Sequence, residues 1–385
     1  MLSNVKSFVY LPFLDQLKER LESDNPYLQV VLGPRQVGKT TSVLKLIENN
    51  YKKKSIYVSA EQSFNPNPEW LQEIWLQAQA ENRILFIDEI QKSYNWPEVI
   101  KALYDDAKRR KKPVKCVLLG SSSLEIQKGL TESLTGRFQL LNVQHWNFAE
   151  SKKGYDLSFD EYLKFGGYPG SYPLIGSNEW YDYVKHSIVG TVVEKDILQF
   201  RTVKDPSLFR QAFDLLTSYP AHEISYTKLL GQLQKKGNVE VIKHYINLFE
   251  GAYLITALQK YSGSKLVQKS SSPKILPLAP CLSYLQIRAD YTPIERGHIF
   301  EALVGQQLMR MREELYYWRE GGNEVDYVLK IGKNVWAIEV KSTASTAGGL
   351  HEFKKKFPSA HLVLINENNY LDFEKDPMKF LQNYI

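Results

Sequence analysis

Cysteine is almost missing from this chain. Its two copies, Cys116 and Cys281, stand far apart and lack ligand-like spacing. That argues against a disulfide framework or a zinc site and fits a reducing cytoplasm. Long apolar runs are missing too, with none near the ~18 residues that span a bilayer. The early FVYLPFL is short, holds a proline and leads into charged residues, so it reads as an entry helix rather than a signal peptide. Internal repeats and low-complexity tracts are absent from the sequence. Strong charge is also lacking. A net charge of +6 permits nucleic-acid binding without requiring it.

What is present is an ordinary globular composition, 43% hydrophobic and 24% charged, over 385 residues, enough for two or three domains. The charge is uneven. Residues 1–150 hold 20 basic and 17 acidic side chains, residues 151–290 hold 17 and 13, and residues 291–385 hold 12 and 13. The last segment therefore supplies little attraction for phosphates. Five apolar runs punctuate the first 150 residues: LQVVLG (28–33), SIYVSA (55–60), RILFIDEI (83–90), KCVLLGSSS (115–123) and FQLLNV (138–143). They lack polar alternation, as buried parallel strands do, and the intervals between them suit crossover helices. The expectation is an α/β parallel sheet.

GPRQVGKTT, from Gly33 to Thr41, matches G-x-x-x-x-G-K-S/T, with Gly33, Gly38, Lys39 and Thr40 at the required places and Pro34, Arg35, Gln36, Val37 and Thr41 completing the loop. Such a loop wraps ATP phosphates with backbone N–H groups at a helix N-terminus. Lys39 is expected on the β- and γ-phosphates, and the Thr40 hydroxyl on Mg²⁺. Arg35 is either a phosphate contact or a solvent-facing loop residue. ILFIDE supplies Asp88 as a Mg²⁺ partner and Glu89 to activate water. VLLGSSS closes the next strand, so a hydroxyl there, Ser121 in preference to Ser122 or Ser123, is placed to sense the γ-phosphate. The bland alternative is a serine turn that caps a helix. Arg137, in LTGRF, is a candidate γ-phosphate contact in its own subunit or from a neighbour, the latter implying a ring or dimer. The basic runs YKKK (51–54) and KRRKKPVK (108–115) precede strands and so lie at the far end of the sheet from the nucleotide.

Residues 206–280 suggest three helices and a β-hairpin, the order of a winged helix. Its third helix carries Glu240, Lys243 and Glu250, for a formal charge of −1, poor for reading DNA. The following loop, KYSGSKLVQKSSSPK, holds Lys260, Lys265, Lys269 and Lys274 and no acid. A basic wing on DNA backbone and a structural or protein-contacting module both remain open. Beyond 291 come a helix (ERGHIFEALVGQQLMRMREEL), strands YYWRE, VDYVLK and VWAIEVKS, a helix over HEFKKKF and a strand HLVLIN. Alternation puts Glu339 and Lys341 on one strand face. A hairpin across IGKN brings Asp326 near them, and the helix adds Glu301. Such acids can hold Mg²⁺ on a phosphodiester while the lysine orients water. The alternative is a preserved fold whose acids and lysine pair with each other.

Nearly the whole chain resembles the prokaryotic AAA-type ATPases whose C-terminal domain of unknown function has a PD-(D/E)xK endonuclease-like fold. GPRQVGKTT, LFIDEIQ, LLGSSS, LTGR, FGGYP, GHIFEALV, YWRE, EVDYVL and AIEVKS carry the resemblance. It implies ATP binding and hydrolysis, a winged-helix linker and a nuclease-like module, and names no substrate. The expected organisation is a P-loop NTPase domain (1–150), a helical lid (151–205), a winged-helix domain (206–285) and a restriction-endonuclease-like α/β domain (286–385). The leading expectation is ATP-driven action on DNA. The alternative is a nucleotide-controlled switch that binds a protein partner.

Overall fold

The computed structural model describes residues 7–121, 129–198, 203–233, 238–263, 268, 271–341 and 348–385, with the side chains of Ser121, Lys195 and Asp196 outside that description. The chain divides into two compact units. One is Phe8–His145 with Ile188–Thr202, and the other is Met1–Ser7, Trp146–Ser187 and Val203–Ile385.

The first unit opens with helix α1 (Phe13–Glu22), which buries Phe13, Leu14, Leu17 and Leu21. Its strands are β1 (Leu28–Gly33), β2 (Ser55–Ser59), β3 (Ile84–Asp88), β4 (Cys116–Ser121) and β5 (Phe138–Asn142). They coincide with the five apolar runs and form one parallel sheet in the order β2-β3-β4-β1-β5. Between them run α2 (Lys39–Leu46), α3 (Pro68–Ala80) and α4 (Trp96–Arg109). The start of α3 is fixed by Asn67, which accepts from Trp70 N, and by Pro68 at the first helical position. Leu85, Ile87, Leu118 and Val30 of the sheet pack with Trp75 of α3 and Ile100 and Tyr104 of α4. Burial from the helices is why these strands read as continuous apolar runs. Because β4 lies between β1 and β3, three loops leave adjacent carboxyl ends together, and Gly33 pairs with Ser121 in register.

In the second unit, α5 (Phe148–Tyr155) and α6 (Phe159–Phe165) each begin with a capping box, Asn147/Glu150 and Ser158/Glu161. Next come α7 (Pro206–Thr217), β6 (His222–Glu223), α8 (Tyr226–Gln232), α9 (Val239–Gly251), β7 (Ile255–Leu258), β8 (Lys274–Pro277) and α10 (Pro280–Ile287). Ser225 caps α8 as expected, accepting from Lys228 N. The three strands form an antiparallel sheet, β6-β8-β7. The chain continues with α11 (Pro293–Met309), β9 (Glu314–Glu320), β10 (Asn323–Ile331), β11 (Asn334–Lys341), α12 (Gly348–Lys356), β12 (His361–Asn366), α13 (Tyr370–Lys375) and α14 (Pro377–Gln382). The sheet order is β12-β11-β10-β9, with β11 and β12 parallel and the other pairs antiparallel.

Helix α11 starts earlier and stops earlier than its sequence pattern suggests. Thr292, Pro293 and Glu295 form its capped start, and Arg312, at φ 59°, turns the chain into β9. Residues 188–202 of the expected lid belong to the first unit, while 151–187 fall with the middle and C-terminal segments for identifiable reasons. Phe159 packs edge-on against Phe300 and tilted against Tyr370. Glu374 accepts from Phe148 N at 2.9 Å and Ala149 N at 3.0 Å, satisfying two of the donors that the start of α5 leaves unbonded. Arg310 pairs with Glu150 at 2.7 Å.

Candidate nucleotide site and carboxylate–lysine cluster

The phosphate loop connects β1 to α2, as its spacing predicts. A side chain at Gly33 would collide with Val143 O, so glycine is required there by the backbone that follows β5. Gln36 and Gly38 take left-handed backbone, φ 58° and 87°, which curls the loop before α2 begins at Lys39. Val37 is fully buried beneath the loop, Arg35 is half-buried, and Gln36 and Thr41 are exposed. Lys39 is buried and donates to Gly33 O at 3.0 Å and Pro34 O at 2.6 Å.

The Thr40 hydroxyl donates to Asp88 Oδ2 at 2.7 Å, joining the loop to the end of β3. Tyr57, from β2, donates to the same oxygen at 2.8 Å, and Glu89 N donates to Asp88 Oδ1 at 2.9 Å. Burial, and then the Asp88 carboxylate, push the Tyr57 phenol above its ordinary value, so it stays a donor. A hydroxyl and a carboxylate in contact are hard oxygen donors of the kind that share Mg²⁺ with phosphate. Glu89 stands at φ 48°, an unusual backbone for a non-glycine residue, and its carboxylate accepts from Gln91 Nε2. Strain of this kind gathers at functional sites.

Arg137 is not placed to reach its own subunit's γ-phosphate, contrary to one of the two roles expected for it. Its carbonyl bonds Leu28 N, at the start of β1. Gly33 lies five residues further along that strand, roughly 16 Å at 3.3 Å per residue. The guanidinium instead forks onto Asp105, at 2.8 and 2.9 Å. The side chain of Ser121, and all of Ser122 and Ser123, lie outside the described residues.

In the second unit the hairpin of β10 and β11 pairs Tyr327 with Ile338, and continuing that register sets Asp326 opposite Glu339. Both are buried, at 8% and 6% exposure. Glu301 reaches them from α11, whose backbone is pinned where Tyr327 OH donates to Glu301 O at 2.7 Å. A side chain at Gly305 would strike that tyrosine. Glu339 pairs with Lys341 at 2.6 Å, and Asp326 Oδ2 accepts from Val340 N at 2.7 Å. The four residues expected together are therefore together.

Residues 25–152 match the family described as an AAA domain. They form an AAA-type P-loop ATPase domain. Residues 156–282 and 296–381 match two domains of unknown function, DUF8612 and DUF4143. An uncharacterized protein of Methanocaldococcus jannaschii is 26% identical over 340 residues, 81% of this chain and 74% of that one. An uncharacterized protein of Mycobacterium tuberculosis is 24% identical over 325 residues, 82% of this chain and 70% of that one. Among solved structures, a Walker-type ATPase of Pyrococcus abyssi aligns with 15% identity and a TM-score of 0.49, covering 71% of this chain and 94% of that one.

Outside the ATPase domain, the structure changes the reading of the basic wing. Lys274 is one of the four lysines of the candidate basic wing. It is instead the first residue of β8 and has no exposure. Its ammonium pairs with Glu301, lies 3.7 Å from both Asp326 Oδ1 and Glu324 Oε1, and donates to Asp326 O at 3.2 Å. Burial opposes the charge on Lys274, but Glu301 and Asp326 outweigh it and hold the lysine above its ordinary pKa. Burial also opposes the charge on Glu301, and Lys274 together with His298 overcomes it, so that carboxyl lies below its usual range. Burial and the nearby Glu301 push Asp326 well up. Lys260 is half-buried and bridges to Tyr317 through its main chain. Lys265 and Lys269 lie outside the described residues. Among the described residues no group of three or more His, Cys, Asp or Glu side chains is arranged to hold a metal ion. Around Asp326 the Lys274 ammonium already stands among the carboxylates, so the residues present do not fit the Mg²⁺ expected there.

Sequence reasoning missed three participants. Tyr57 carries a polar tip inside the apolar run SIYVSA, a faint signal for a site-facing hydroxyl. Asp105 lies on an exposed helix face and gave none. Lys274 read as the last lysine of the candidate basic wing.

Proposed function

We propose that the protein is a Mg²⁺-dependent ATPase whose second unit engages DNA without cutting it. The Thr40–Asp88 hydrogen bond carries the ATPase part, because it joins the phosphate loop to the acidic end of β3. Lys39 exchanges its two carbonyl partners for β- and γ-phosphate oxygens. Thr40 and Asp88 would hold Mg²⁺, with Tyr57 fixing the Asp88 carboxylate. Bound there, Mg²⁺ neutralises charge developing on the phosphates. Glu89, oriented by Gln91, takes a proton from the attacking water. Ser121 is retained as the γ-phosphate sensor. Arg137 keeps a role only toward a neighbouring subunit's nucleotide, with the Asp105 pair opened.

The DNA reading is supported by residues 206–277, whose helices and strands follow the winged-helix order, and by the basic excess of residues 151–290. The C-terminal element order supports a PD-(D/E)xK-like fold, while the pairing of its acids with lysines supports a module that does not cleave. A second reading, a nucleotide-controlled switch for a protein partner, is favoured by the removal of Lys274 from the wing surface. ATP turnover measured with single-stranded, double-stranded and branched DNA separates the two. Stimulation lost in Lys39→Ala and weakened by salt is expected. Unchanged turnover with no salt-sensitive DNA binding would leave the switch.

A further inference from the structure

The carboxylate cluster of the second unit already holds a cation, supplied by the chain. Lys274 Nζ meets Glu301 from α11 and Asp326 and Glu324 from β10, together with the carbonyl of Asp326. The Tyr327 ring lies beneath it at 5.0 Å. Carboxylates from two elements plus a backbone carbonyl make the hard-oxygen set that divalent cations favour. A buried ammonium needs such compensation, because desolvation of an unpaired charge is costly. Glu339 adds a second observation. It is 94% buried, one carboxylate oxygen pairs with Lys341, and the other, Oε2, has no hydrogen-bond partner. The cluster thus retains an unused hard-oxygen donor opposite Asp326, while its cation position is filled from β8.

We propose that Lys274 takes the place of the divalent cation in the Glu301–Asp326–Glu339 cluster, and that a hard divalent cation binds there only when this ammonium is absent. The inference concerns the second unit alone, so its failure leaves the ATPase reading standing.

Mn²⁺ binding to the nucleotide-free full-length chain, followed by electron paramagnetic resonance, tests it. The comparison is wild type, Asp326→Asn, Lys274→Gln and the double variant. Lys274→Gln is expected to gain one Mn²⁺ equivalent that the double variant lacks, and Asp326→Asn is expected to match wild type. Subtracting the double variant removes any Mn²⁺ held by the phosphate-loop site. Loss of an equivalent on going from wild type to Asp326→Asn would overturn the proposal, since metal would then coexist with the lysine. A folded Lys274→Gln that gains nothing would overturn it too. If Lys274→Gln does not fold alone, Mn²⁺ is expected to restore a cooperative thermal transition that added KCl does not. No restoration counts against the proposal.

Discussion

Lys39 and Lys274 are both buried lysines, and they keep opposite company. Lys39 is held by two carbonyl oxygens of its own loop. A nucleotide phosphate offers the same ammonium oxygen contacts that also carry charge, which strengthens each hydrogen bond. Lys274 is held by carboxylates in the interior of its unit. Its charge is already balanced, and drawing it away would leave Glu301 and Asp326 buried without the ammonium they share. The lesson is that a lysine's function follows from what compensates its charge. The first is poised for a ligand, and the second occupies the position a ligand would take.

The sharpest way to break this contrast is at Glu89. Glu89→Gln is expected to lower ATP turnover by about 10²–10⁴-fold, the range for general-base loss, while nucleotide binding persists in a filter or fluorescence assay. Unaltered turnover would remove the catalytic meaning of the first site. Next in size is a stability comparison by urea unfolding. Lys274→Ala should cost about 3–5 kcal/mol, because it strands Glu301 and Asp326. Lys39→Ala should cost about 1 kcal/mol, the worth of ordinary hydrogen bonds. Equal costs would erase the distinction between the two lysines.

A pH series sharpens the second site. The Glu301 carboxyl lies below its ordinary value in the folded chain, burial being outweighed by Lys274 together with His298. Its contribution is therefore present above the unfolded value of about 4.3 and lost as pH falls through the folded value. Asp326 is shifted up and acts in the opposite sense, its cost easing on acidification. Comparing wild type with Glu301→Gln isolates the first of these. The stability advantage of wild type should shrink as pH falls below about 4.3, whereas a constant difference would deny the pairing. The smallest effect is expected for Tyr57→Phe. Loss of one hydrogen bond to Asp88, about 0.5–1.5 kcal/mol, should weaken Mg²⁺ activation of turnover a few-fold to about tenfold.

Much of the ATPase sheet was legible because burial on both faces leaves unbroken apolar runs, and 28–33 coincides with β1. Strand alternation likewise placed Glu339 beside Lys341. Arg137 was harder. Its motif suggested a phosphate contact, but its place before β5 and the nearness of Asp105 put it at the other end of the sheet. Lys274 was least legible, because in KSSSPKIL nothing local separates a solvated lysine from one that begins a buried strand.

The sequence by itself determined the phosphate loop, the acids Asp88 and Glu89 at the end of β3 and the succession of strands along the chain, since spacing and apolar periodicity are local properties of the chain. Only the tertiary structure decided which charges neutralise one another. Ion pairing depends on approach to within about 4 Å and on exclusion of water. For Lys274 both arise from β8 and β10, which bring together residues 52 positions apart in the chain.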